Sequence, residues 1–206
     1  MKLLTLEINL VGARKKIKRK IQITDDYNLN ALHIAIQEMF YFNYDQEHEF
    51  EFKDVVYLPE CENDFAQLTE MQNLLKEEMD ILTDKGVDIE QLFNTKKVYK
   101  DDCSTQLVAL NLTVGDSVDY TYDSDNNYEF TIELVQTNPA EKSKIAVVDL
   151  KGKFIPQGLD VDSYNLLKEQ KSGDEYEMLV ALEKTFEKDL VVENVSQIPP
   201  TATMYE

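Results

Sequence analysis

On either side of Asp123–Asn127 the chain alternates strictly, with Val118, Tyr120 and Tyr122 before it and Tyr128, Phe130, Ile132 and Leu134 after it. Successive side chains of an extended chain point to opposite faces, so this period of two gathers the apolar and aromatic groups on one side of two strands. The polar residues between the two runs read as the connection of a hairpin. The pattern does not suit a helix, and it commits this part of the chain to a sheet with one buried face.

The same period recurs upstream. Leu4, Leu6, Ile8 and Leu10 alternate with Thr5, Glu7 and Asn9; beyond Gly12, Ile17, Arg19, Ile21 and Ile23 share a face opposite Lys16, Lys18, Lys20 and Gln22. Residues 3–24 are therefore predicted as a hairpin, with Arg19 pointing inward, where it needs a carboxylate partner. His48, Phe50 and Phe52 predict a third strand that continues toward Tyr57 until Pro59 interrupts it, with His48 on the core side. A further strand is expected over Ile145–Leu150. Helical spacing governs elsewhere. Leu29, Leu32, Ile36, Met39 and Phe40 follow a capping Asn28 in a helix ending near Phe42. Phe65, Leu68, Met71, Leu75, Met79 and Leu82 make a long stripe closed by Gly86. Shorter helices are expected around Ile89–Phe93 and from a capping Ser104 to Leu110. Asp162 and Ser172 are expected to begin two last helices.

Strands mixed with helices, without regular βαβ alternation, predict an α+β fold: a mostly antiparallel sheet with helices packed on one face. Residues 1–188 read as one such domain carrying a helical insertion at about 60–103, and residues 189–206, with two prolines and little periodicity, as an extended C-terminal tail.

Forty acidic against 21 basic residues in a chain of 206 give a net charge of −19, which repels phosphate backbones and anionic lipid. One stretch runs the other way. Six of the seven residues from Arg14 to Lys20 are basic, and Arg14, Lys16, Lys18, Arg19 and Lys20 are the candidate binding residues for phosphate. A strand face of lysines equally discourages edge-to-edge pairing, and the chain's own carboxylates can neutralise it. The overall charge disfavours nucleic acid and leaves a protein partner, including a basic one drawn to the acidic surface. No apolar run reaches the roughly 20 residues of a membrane span, and Lys2 and Glu7 interrupt the apolar N-terminus as a signal peptide does not allow. A cytoplasmic protein is expected. Cys61 and Cys103 have neither CxxC spacing nor a neighbouring His and read as free thiols; no cofactor is called for.

Two groups of residues invite chemistry. Asp123, Asp125 and Asn127 reproduce the first three oxygen positions of an EF-hand loop, yet Tyr128 stands where Gly makes the sharp turn and Leu134 where a bidentate Glu belongs. As Asx residues they also serve a plain turn. His33, His48 and Asp123 supply two imidazoles and a carboxylate, enough for a transition metal or for proton transfer. A core histidine bonded to a carboxylate or carbonyl is the commoner use. There is no Gly-rich phosphate loop, Gly-x-Ser-x-Gly elbow or His-Glu-x-x-His helix.

Several of these segments resemble, in order, the plasmid pRiA4b open-reading-frame-three-like family. Ile17–Ile23 is similar to its Ile-Trp-Arg-Arg strand, with Lys18 at the Trp position. Leu32-His33 with Ile36-Gln37 is similar to its Leu-His and Ile-Gln helix pairs, and His48-Glu49-Phe50 matches its His-Glu-Phe strand. Tyr120-Thr121-Tyr122-Asp123 resembles the start of its Tyr-Asp-Phe-Gly-Asp-x-Trp-x-His hairpin, but Ser124 and Asp125 replace Phe-Gly, Asn126 the second Asp, Tyr128 the Trp and Phe130 the His. Gly158–Leu167 is similar to its Gly-Tyr-Leu helix, while the Cys-Pro-Pro-Glu-Asp segment before it is missing. The resemblance covers residues 3–57 and 104–186, with 60–103 outside it. It implies the α+β fold and, for some members, a link to plasmids or transposable elements; it implies no reaction. An intact core pattern beside an eroded polar hairpin points to a non-enzymatic cytoplasmic binding or accessory module. A metal-dependent hydrolase centred on His33, His48 and Asp123 and a nucleic-acid binder using residues 14–20 are the alternatives.

Overall fold

The computed structural model describes residues 1–14, 16–43, 46–59, 64–83, 97–123 and 125–202, with the backbone alone for 75–83. Its elements are β1 (Lys2–Leu10), β2 (Lys18–Thr24), α1 (Leu29–Phe40), β3 (His48–Phe52), β4 (Val55–Leu58), α2 (Phe65–Thr83), β5 (Val98–Asp101), a 3-10 turn (Leu107–Leu110), β6 (Ser117–Tyr122), β7 (Tyr128–Pro139), β8 (Ile145–Lys151), α3 (Val161–Gln170), α4 (Asp174–Glu183) and α5 (Lys188–Gln197). The strands form one sheet in the order β5-β4-β3-β6-β7-β1-β2-β8. All neighbours are antiparallel except the parallel pair β4–β5. This is the expected α+β fold. Among the described residues no helix is long and apolar enough to cross a membrane.

The alternation sets the register. Tyr122 faces Tyr128, Tyr120 faces Phe130 and Val118 faces Ile132, and all six are buried. Leu6, Ile8 and Ile21 continue the same apolar surface across β1 and β2. Helix α1 meets the aromatic part of it, with Phe40 edge-on to Phe130 at 4.7 Å. Asn28 caps this helix by accepting the Ala31 N–H at 2.8 Å. Tyr41 turns left-handed, at φ 65°, and ends it two residues before the expected Phe42.

Where local signals were ambiguous, tertiary pairing decided differently. The third strand folds back on itself: β3 and β4 pair antiparallel around Lys53–Asp54, with Lys53 at φ 58°. The end of the stretch expected to lie outside the sheet adds strand β5 to its edge. Asp160, not Asp162, caps α3 by accepting the Ser163 N–H at 2.9 Å, and α4 starts after Gly173 without a side-chain cap. Ser104 caps no helix; the 3-10 turn follows Gln106, also without a side-chain cap. The segment expected as an extended tail contains α5, whose Val191 and Val195 are fully buried. Its apolar stripe is only two side chains long, too brief to read as helix, and it forms because β8 and α1 cover it. Beyond it Asn28 holds the chain through Ala202 O at 3.0 Å. Cys61, the expected Ile89–Phe93 helix and its Gly86 neighbour, and the α2 stripe from Leu75 onward fall outside the described residues or side chains.

Arg19 points inward as expected but makes no ion pair with a carboxylate among the described residues. Its Nε donates to Met39 O at 2.7 Å, Nη1 to Lys18 O and Lys151 O, and Nη2 to Lys153 O at 3.2 Å, with the Phe40 ring 4.7 Å beneath. Burial pulls its pKa down to about 10, with Asp149 opposing the shift. The guanidinium fork ties the end of α1 to β2 and β8 through their carbonyls. Arg19→Ala leaves those acceptors unpaired and should lower stability in urea denaturation by about 3 kcal/mol, whereas exposed Arg14→Ala should stay within about 0.5 kcal/mol.

Candidate functional site

The two histidines of the sequence meet. His33 comes from the sheet-facing side of α1 and His48 opens β3, and their rings stack with centroids 3.6 Å apart and planes 18° from parallel. His33 is fully buried, and the His48 side chain is 2% exposed. His33 Nδ1 lies 2.8 Å from the Tyr120 hydroxyl, which also accepts from Gln37 Nε2 at 2.8 Å. Gln37 thus donates to the same oxygen that meets His33 Nδ1, while His33 Nε2 is buried without a hydrogen-bond partner among the described residues. Burial, reinforced by the neighbouring His48, holds His33 well below the usual imidazole range. Burial likewise pushes Tyr120 well above the ordinary phenol range.

The carboxylate that joins them is Asp102, not Asp123. Its Oδ2 lies 2.8 Å from His48 Nε2, and its side chain is fully buried. Asp102 sits just past the end of β5, in an acidic stretch 54 residues from His48. Nothing in its local sequence distinguishes it from the chain's other carboxylates, so only the edge strand brings it in. Asp123 follows Tyr122, the cross-strand neighbour of His48, but serves its own turn. It adopts φ 59° and accepts from the Asn126 amide at 3.2 Å and from Asn126 Nδ2 at 2.8 Å. Asp125 is exposed, and Asn127 donates to Glu129 at 2.9 Å.

Among the described residues the one set of three side chains close enough to share a metal is Asp101, Asp102 and Cys103, with ligand atoms within 4.8 Å of one another. Neither His33 nor His48 nor Asp123 belongs to it. Asp101 Oδ2 accepts the Ser104 N–H at 2.7 Å and one Asp102 oxygen is committed to His48. What the stacked pair and its partners do chemically is hold a polar seam inside the core. Asp102–His48 is a carboxylate–imidazole pair of the type used in general base catalysis, with side chains 0% and 2% exposed.

The basic stretch is dispersed rather than presented. Arg14 pairs with Glu169, Lys18 with Glu7, and Lys20 with the same Glu7 at 3.4 Å. Arg19 is buried. β2 lies between β1 and β8, so its lysines do not guard a sheet edge. Lys16 lines a cavity.

The family model for plasmid pRiA4b ORF-3-like protein matches residues 2–194, and so spans the 60–103 segment and most of α5. The chain belongs to this family. The crystal structure of a protein of unknown function from Methanosarcina mazei Go1 is similar, at 20% sequence identity and a TM-score of 0.63, covering 91% of this chain and 90% of that one. At that identity the likeness is one of fold. No curated protein matches the chain. In this family member Tyr128 and Phe130, which replace the Trp and His of the hairpin pattern, are core residues: Tyr128 stacks on Phe42 at 4.8 Å and donates to Leu159 O at 3.0 Å.

The seam makes stability depend on pH. In the unfolded chain His33 takes up a proton near pH 6.5, and in the fold it does so only well below that. The unfolded state therefore binds more protons as pH falls, and the stability present above 6.5 is lost below it. From about pH 7 to 5 the protein should lose stability faster than His33→Gln by up to about 1.4 kcal/mol per pH unit; equal slopes in urea titrations would refute the assignment.

Proposed function

We propose that this family member is a non-catalytic, cytoplasmic binding or accessory module. The observation that supports it is the depth of the titratable cluster: both imidazoles and the Asp102 carboxylate lie inside the core, with His33 Nδ1 against Tyr120 and His48 Nε2 against Asp102. What the molecule offers to a partner instead is a groove of about 590 Å³ between α3 and α4, with Leu159, Leu166, Leu167, Met178 and Leu182 along it. Leu166 is 53% and Met178 63% exposed. Ten-residue helices are about 15 Å long, room for nearly three turns of a docked helix.

Charge selects the partner. Between Pro156 and Glu187 eight carboxylates face three lysines, and Asp162, Asp174, Glu175 and Glu177 are exposed. An amphipathic helix with basic flanks fits both the apolar floor and this rim. A second copy of the chain, also at −19, is repelled.

Two measurements test the reading. Chromogenic ester and phosphodiester substrates with added zinc, manganese or cobalt should give no turnover that differs between the protein and His48→Asn; a turnover that His48→Asn abolishes would sink the module reading. A synthetic Leu/Lys amphipathic helix should bind in fluorescence anisotropy, and Met178→Asp should weaken it about tenfold.

A further inference from the structure

A second cavity, on the other side of α3, has the opposite character. It also measures about 590 Å³, and Lys16, Lys153, Lys168 and Lys188 line it together with Ile17, Tyr164, Phe186, Gly152 and a single carboxylate, Glu183. The chain as a whole carries nearly two acids for every base, so four lysines around one carboxylate reverse the local balance. Those lysines come from four separate places: the approach to β2, the residue pair after β8, α3 and the start of α5. Sequence reading found only the first of them.

Their pairing leaves positive charge to spare. Glu183 is held by Lys168 at 2.7 Å and by the Tyr164 hydroxyl at 3.3 Å. Lys188 Nζ donates to Leu150 O at 3.1 Å and keeps two further N–H groups. Lys16 and Lys153 are exposed and make no ion pair among the described residues. Gly152 brings these two together. At φ 85° it passes so close to the β2 approach that a Cβ would sit 2.8 Å from Lys16 O and 3.2 Å from Ile17 Cα.

We propose that this cavity binds a small phosphorylated organic molecule: Lys16 and Lys153, with Lys188 beside them, hold the phosphate, and the half-buried Phe186 ring borders its planar or apolar part. At physiological ionic strength charges beyond about 8 Å are largely screened, so the lysines govern a small anion that enters the cavity. A long polyanion cannot escape the carboxylates outside it. The volume is of the size that encloses a small ligand. The site is independent of the histidine seam and of the α3–α4 groove.

Calorimetry with adenosine monophosphate, adenosine, inorganic phosphate and a single-stranded oligonucleotide tests it. The monophosphate should bind, inorganic phosphate more weakly, and adenosine not at all. Lys16→Glu with Lys153→Glu should weaken the monophosphate at least about tenfold with unchanged thermal melting, while Lys171→Glu, on the exposed end of α3, should not. Failure of both phosphates to bind, equal binding of adenosine, or equal damage from Lys171→Glu overturns the site. Inorganic phosphate binding as tightly as the monophosphate overturns the organic ligand, and tighter binding of the oligonucleotide overturns the small molecule.

Discussion

The contact between α1 and the aromatic face of β6 and β7 organises the rest of the molecule. Phe40 and Phe42 reach Phe130, Tyr122 and Tyr128 from the end of the helix, and His33 and Gln37 reach Tyr120 from its middle. Large rings bury much area each and prefer tilted or offset contacts, so they fix the angle of the helix as well as holding it. Once α1 is seated, its capped start is positioned to receive the end of the chain at Pro200 and Ala202, and its last turn receives Arg19.

A polar seam runs through that contact, and it is where the edge of the sheet is tied to its centre. His48 and Asp102 belong to β3 and the end of β5, His33 to the helix, Tyr120 to β6. Two imidazoles in contact cannot both be charged without mutual repulsion, and the deeper one is held neutral. Networks of this kind are costly when a member is missing, which makes them specifying elements of a core even where they carry out no reaction. The eroded hairpin fits the same account. Tyr128 and Phe130 extend the aromatic surface where the family pattern has Trp and His, and the remaining Asp123 stabilises a turn.

Charge is distributed on a different principle. Of the basic stretch, Arg14 is answered by Glu169 and Lys18 and Lys20 by Glu7. Lys16 converges with Lys153 just after β8, Lys168 of α3 and Lys188 of α5. The two faces of α3 therefore border surfaces of opposite sign, one apolar with an acidic rim and the other basic with aromatic walls.

Period-two alternation, together with the Asn28 cap, determined much of the scaffold from sequence alone, because both depend on residues near one another in the chain. The β1–β2 and β6–β7 hairpins, α1 with its Asn28 cap and the Asp123 turn are legible in this way. His48 was recognisable as a core-side residue, but its partner Asp102 was not, since an edge strand has to form before it arrives. The carbonyl cage of Arg19, the helix at Lys188–Gln197 and the lysine cavity share that reason. Each depends on groups from distant segments whose nearness costs chain entropy that only the assembled sheet and α1 offset, and no local pattern records it.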